Sequence, residues 1–186
     1  MNNNTVTDIK KELHACMNGV ASAAMRQTDD YRVNFGVELP RLHQIAGEFQ
    51  PSRELAQALW NEGIRECRIL ATILMPADEF DEEMCDIWVD EIKTVELAQI
   101  FALNMMRRMT YASRKAFEWI ASEAVMRQVT GYFTMCHVLR MGTMNPRSAE
   151  ELCDHLSCDM HSADRRLSMA AMKTRQIYED TKTDSQ

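Results

Sequence analysis

The densest group of metal-ligating side chains in the chain lies late: Cys153, His155, Cys158 and His161. A zinc site needs four converging ligands, commonly spaced Cys-x2-4-Cys and His-x3-5-His. Here the order is Cys-x-His-x2-Cys-x2-His in sequence of helical character, which spreads the four around a cylinder. Cys158 and His161 share a face and Cys153 lies off it. The expectation is two packed thiols and two amphipathic imidazoles, with no bound metal. Cys136 followed by His137 has the residue types of a thiolate nucleophile and its base. Neighbouring helical residues point in different directions, however, and Met135, Cys136, Val138 and Leu139 read as core. His43 sits with Leu39, Leu42 and Ile45 and reads as the edge of a packing layer. No phosphate-binding glycine loop, Ser-His-Asp order or paired-histidine motif occurs, and nothing calls for a cofactor.

Charge is the remaining chemical signal. The formal net charge of −7 argues against a generic nucleic-acid binder, which is usually basic. Its distribution is uneven. From Asp78 to Glu96 nine acidic residues face a single Lys93. From Arg107 to Arg147 seven basic residues face only Glu118 and Glu123. Two readings follow, one local positive surface or basic residues scattered over solvated helix faces.

The elements that must position these residues are helical. Gly (6) and Pro (4) are scarce, Met (15) is abundant, and no strand alternation is present. Trp60, Trp88 and Trp119 lie 28 and 31 residues apart in similarly patterned sequence. Counting ten residues on from each gives Leu70, Ala98 and Val129, thirteen gives Ile73, Phe101 and Tyr132, and fourteen gives Leu74, Ala102 and Phe133. A recurring unit of this length is the signature of stacked helix pairs, each needing its neighbour to complete a core. It favours a curved binding surface over a closed catalytic pocket. The spacing predicts a first helix over about Val6–Met25, a connector over Thr28–Val37, and a short helix from Pro40 to Phe49. Helices follow to Trp60, over Ile64–Met75, around Trp88, from Val95 to Met105, over Tyr111–Ile120 and over Ala124–Leu139. Asn145-Pro146-Arg147-Ser148 reads as a loop before one or two helices to Tyr178. Residues 179–186 read as a polar tail, leaving one domain over 1–178.

The polar start from Met1 to Lys11 lacks the apolar segment of a secretory signal, so a cytoplasmic location and reduced cysteines are expected. No stretch approaches the ~20 apolar residues that span a bilayer, so no membrane partner is expected.

From Tyr31 to about Arg140 the chain resembles the DNA alkylation repair family, DNA glycosylases built from HEAT-like repeats. The match runs through Asn34-Phe35-Gly36-Val37 into Leu39-Pro40-Arg41-Leu42. It continues in Leu55-Ala56-Gln57-Ala58-Leu59-Trp60, where the family shows Leu-Ala-x-x-Leu-Trp, and in Arg65-Glu66-Cys67-Arg68-Ile69-Leu70-Ala71. Met84-Cys85-Asp86-Ile87-Trp88-Val89 resembles a later Trp-containing helix, and Phe117-Glu118-Trp119-Ile120-Ala121-Ser122 the family's Trp-x-x-Ser turn. These are mostly packing residues. The resemblance implies an all-α, right-handed HEAT-like helical-repeat solenoid.

The family's chemical residues are replaced. Glycosylases of the family carry Trp-Asp-x-x-Asp where this chain reads Val95-Glu96-Leu97-Ala98-Gln99. The aromatic that faces a cationic alkylated base aligns with Val95, and the carboxylate that assists cleavage aligns with Gln99. The catalytic arginine aligns with Gln128, beside Arg127. Valine offers no field that attracts a cation, and an amide stabilises positive charge on the sugar far less than a carboxylate does. Glu96 is the weak candidate to rescue that chemistry, though an acid there also suits the helix dipole. The expectation is a non-catalytic protein binding DNA through Arg107, Arg108, Arg114, Lys115, Arg127 and Arg140. A protein-binding scaffold is the alternative, and an active glycosylase releasing alkylated bases is the third.

Overall fold

A computed structural model describes residues 5–28, 31, 33–142 and 144–183. Eleven α-helices and two short 3-10 turns account for the regular structure among these residues, and no strand occurs. In order they are α1 (Val6–Ala15), α2 (Gly19–Thr28), α3 (Leu39–Ala46), α4 (Arg53–Asn61), α5 (Arg65–Leu74) and α6 (Glu82–Glu91). There follow α7 (Val95–Asn104), α8 (Ala112–Ile120), α9 (Val125–Arg140), α10 (Pro146–Asp159) and α11 (Arg165–Thr183). The chain sorts into two compact units, Met1–Met84 and Cys85–Gln186, divided within α6.

In the first unit the predicted single helix over Val6–Met25 is two helices. The break is at Asn18-Gly19. The Asn18 side chain accepts the Ala21 N–H at 3.1 Å and so caps α2, while its own N–H donates to the Phe35 carbonyl at 3.0 Å. Gly36 passes so close to this turn that a Cβ would lie 2.3 Å from the Asn18 carbonyl oxygen, and its φ is +71°. The connector is then held by a buried ion pair. Glu66 accepts the N–H groups of Phe35 (2.9 Å) and Val37 (3.2 Å), and Arg65 donates to both Glu66 (3.0 Å) and the Val37 carbonyl (2.9 Å). Both charged side chains are at most 2% exposed. Removing one partner of such a buried pair costs on the order of 3–5 kcal/mol. Burial pushes the Cys67 thiol up to about 12, so it is a packing group.

The tryptophan repeat corresponds to consecutive helix pairs. Trp60, Trp88 and Trp119 lie on α4, α6 and α8, each fully buried. Their partner columns lie on α5, α7 and α9, where Leu70, Ala98, Val129, Phe101 and Tyr132 are all fully buried. In the second unit α9 is central, packing on α7, α8 and α11. Gly131 lets α8 approach: a Cβ there would lie 2.9 Å from the Ala116 carbonyl oxygen. The segment Asn145–Ser148 is a helix start, not the expected loop. Asn145 accepts the Ser148 N–H at 2.9 Å and Pro146 occupies the first turn, where its missing N–H costs nothing. Beyond Tyr178, α11 continues to Thr183.

Candidate functional site

The basic residues expected to contact DNA divide into three groups. Arg107 and Arg108 form the end of a 3-10 turn (Met106–Arg108), and Arg140 ends α9; all three are exposed and make no ion pair among the described residues. Arg114 is exposed and 3.4 Å from Glu118. Arg127 reaches back to α6, donating from both Nε and Nη2 to the Asp90 carboxylate, the latter at 2.7 Å. That guanidinium holds the Asp90 carboxyl below the usual carboxylate range. Lys115 is the correction. It is only 4% exposed, and its ammonium lies 2.6 Å from Asp86 and 3.1 Å from Glu118. Burial works against its charge, but the two carboxylates outweigh it and raise the pKa. Lys115 ties α8 to α6 and cannot reach a phosphate without breaking that knot.

The family-aligned positions part company. Val95 and Gln99, one turn apart on α7, both line a cavity of about 460 Å³. Glu96 is half-buried on the same helix and does not line it. Gln128 is elsewhere, its amide donating to the Ile120 carbonyl at 3.4 Å. Phe133 of α9 forms part of the cavity wall, and α11 supplies Arg165, Met169 and Lys173 at helical spacing, with Arg166 and Ala170 beside them. These α11 residues were missed in the sequence. Their Arg-x3-Met-x3-Lys spacing puts two cations on one helix face, but nothing in one chain ties that face to α7.

Not every cation here is free to act. Asp164 accepts the Arg166 N–H at 2.9 Å and pairs with its guanidinium at 2.7 Å. The Arg166 contacts pull the Asp164 carboxyl down to about 2. Arg165 and Lys173 make no ion pair among the described residues. The Lys173 ammonium stands 5.6 Å from the Phe133 ring centroid, a cation–π contact that places it without neutralising it.

Lys173 also links the cavity to a second group. His137 is half-buried on α9, and its pKa is lowered by burial first and then by the charges of Arg140, Arg107 and Lys173. Three cations from the 3-10 turn, the end of α9 and the middle of α11 thus act on one imidazole. Cys136 beside it is buried, its sulfur 3.3 Å from the Thr174 hydroxyl, and burial raises its pKa. It is no nucleophile for His137.

The Cys153–His161 cluster does not converge. No group of three or more His, Cys, Asp or Glu side chains is placed to hold a metal ion among the described residues. Cys153 is half-buried and Cys158 is exposed, not packed as expected, while the His161 ring nitrogen sits 3.0 Å from the Ser157 carbonyl. No helix of the described residues is long and apolar enough to cross a membrane.

A family model described as "DNA alkylation repair enzyme" matches residues 9–171. No curated protein matches the chain. Among solved structures, one described as "A new family of proteins related to the HEAT-like repeat DNA glycosylases with affinity for branched DNA structures" superposes with a TM-score of 0.81. The alignment covers 97% of this chain and 78% of that chain at 19% identity, a likeness of fold. The expected all-helical, HEAT-like repeat architecture is borne out.

Proposed function

The chain belongs to the DNA alkylation repair enzyme family, and from that premise we propose that it binds DNA through phosphate contacts of Cys85–Gln186 without excising bases. The observation that carries this reading is a set of cations with no ion-pair partner among the described residues: Arg107, Arg108 and Arg140, exposed on the surface, and Arg165 and Lys173, which line the cavity. Cations without carboxylate partners are what a phosphate backbone displaces its counterions for. The charge distribution supports it: Met1–Met84 holds 8 basic and 14 acidic residues, and Cys85–Gln186 holds 13 and 14. The net acidity that argues against DNA lies mostly in the first unit.

The lack of excision rests on Val95 and Gln99. They line the cavity where the resemblance puts the aromatic and the carboxylate of a glycosylase, and the lining contains no acid. Building positive charge on a sugar among Arg165 and Lys173 would raise the barrier rather than lower it. The affinity for branched DNA described for the structural neighbour's family extends the proposal to junction-containing DNA.

The test is fluorescence anisotropy of labelled duplex and three-way-junction probes over a salt titration. Binding that weakens with salt is expected, with the slope reduced by about 1 for each phosphate that Arg107→Glu or Arg140→Glu leaves unneutralised. An unchanged slope in both variants would sink the assignment. Release of free alkylated base, abolished by Glu96→Gln, would restore the glycosylase reading. Absence of any retention on DNA would leave a protein partner as the reading to pursue.

A further inference from the structure

A track for phosphates needs only cations, yet the cavity beside α11 has three kinds of wall. Arg165 and Lys173 supply charge without ion-pair partners, Asp164 having taken up Arg166. Val95 and Met169 supply an apolar wall, and Met169 is left 57% exposed on α11. Gln99 supplies an exposed amide with both donor and acceptor. One nucleotide offers the complement of each: a phosphate, a flat apolar base face, and a hydrogen-bonding edge. The volume, about 460 Å³, lies within the roughly 300–1,000 Å³ of cavities that hold small ligands.

Resting on the DNA-binding reading above, we propose that this cavity takes one unpaired nucleotide of a DNA strand. Its phosphate lies between Arg165 and Lys173, its base against Val95 and Met169, and its edge toward Gln99. Two uncompensated cations suit one phosphodiester. A fully paired duplex cannot fill the cavity without unstacking a base, which costs a few kcal/mol. A bulge, flap or gap has met that cost already. The cavity therefore confers preference for DNA carrying an unpaired nucleotide, and it binds that nucleotide without cleaving it.

The experiment compares anisotropy of a short paired duplex with the same duplex carrying one extrahelical 2-aminopurine. Wild-type protein is expected to bind the bulged probe roughly tenfold more tightly, because the paired duplex must first unstack a base at a cost of a few kcal/mol, and to change the 2-aminopurine emission. Gln99→Trp fills the cavity from an exposed position, and Met169→Asp puts a carboxylate in it. Each is expected to abolish the preference and the emission change; Gln99→Trp keeps duplex binding, whereas the new carboxylate of Met169→Asp, one turn from both Arg165 and Lys173, also weakens it. Equal wild-type affinity for the two probes overturns this proposal and leaves the DNA-binding reading standing. So does a preference that both variants retain. Failure of the wild-type protein to bind either probe overturns the DNA-binding reading itself.

Discussion

At the scale of single residues, ion pairs decide which charged groups of the second unit can meet a ligand. Asp164 shows how close one pairing comes to deciding function. It caps the start of α11 and pairs with Arg166, which also lines the cavity. Asp164→Asn keeps a capping amide and removes one negative charge beside the cavity, so DNA binding at low salt is expected to tighten. Stability is expected to fall by about 0.5–1 kcal/mol, the range for a half-exposed cap and ion pair. The folded-state pKa is about 2 against an ordinary 3.8, so the stabilisation is complete above pH 3.8 and is lost as pH falls through about 2. Thermal melts of the two proteins should therefore converge at acid pH. Unchanged DNA affinity in the variant would mean that the Asp164 charge does not bear on DNA binding. Lys115 makes the opposite point. Its type and neighbours in the sequence mark it as a phosphate ligand, but Asp86, 29 residues away, sequesters it. Such a long-range pairing leaves no local trace in the chain.

At the scale of elements, glycine positions separate close packing from open space. Gly131 lies in α9 against α8, where an added Cβ would meet the Ala116 carbonyl oxygen and Ile120 Cγ1, both at 2.9 Å. Alanine would gain about 1 kcal/mol of helix propensity. The clash with backbone cannot relax by side-chain rotation, so overpacking of about 1–3 kcal/mol prevails. Gly131→Ala is expected to lower the urea midpoint, and Gly19→Ala, with nothing within 4 Å, to raise it slightly. A Gly131→Ala protein as stable as the parent would refute the close approach. The helix pairs themselves were legible, because Trp60, Trp88 and Trp119 and their columns repeat a packing requirement locally. The break at Asn18-Gly19 and the start at Asn145-Pro146 were not. Capping residues look like loop or helix according to what lies opposite them, and Phe35 and Gly36 decide the first case from 17 residues away or more. The cavity was half legible: Val95 and Gln99 could be picked out by resemblance, whereas Arg165, Met169 and Lys173 depend on how α11 meets α9.

At the scale of the whole molecule, the net charge of −7 is unevenly divided, since the acid excess lies in Met1–Met84 and the second unit is nearly balanced. Asp86, Asp90, Glu118 and Asp164 are all engaged with cations, while Arg107, Arg140, Arg165 and Lys173 make no ion pair among the described residues. His137 reports on what remains. Burial, then Arg140, Arg107 and Lys173, keep its pKa below 6.5, so it is neutral near pH 7. A phosphate chain lying over those three cations would cancel their field and favour the imidazolium, while Cys136 beside it stays an uncharged thiol. Binding DNA there is then expected to take up a proton. By linkage, affinity is expected to rise as pH falls from about 7.5 to 5.5, and to be flat over that range in His137→Gln. The folded protein alone should move the other way, losing stability as pH falls below 6.5, because the unfolded chain accepts the proton more readily. Opposite pH trends of stability and affinity, both removed by one substitution, would place the phosphates beside His137. A pH dependence of binding that survives in His137→Gln would place them elsewhere on the second unit.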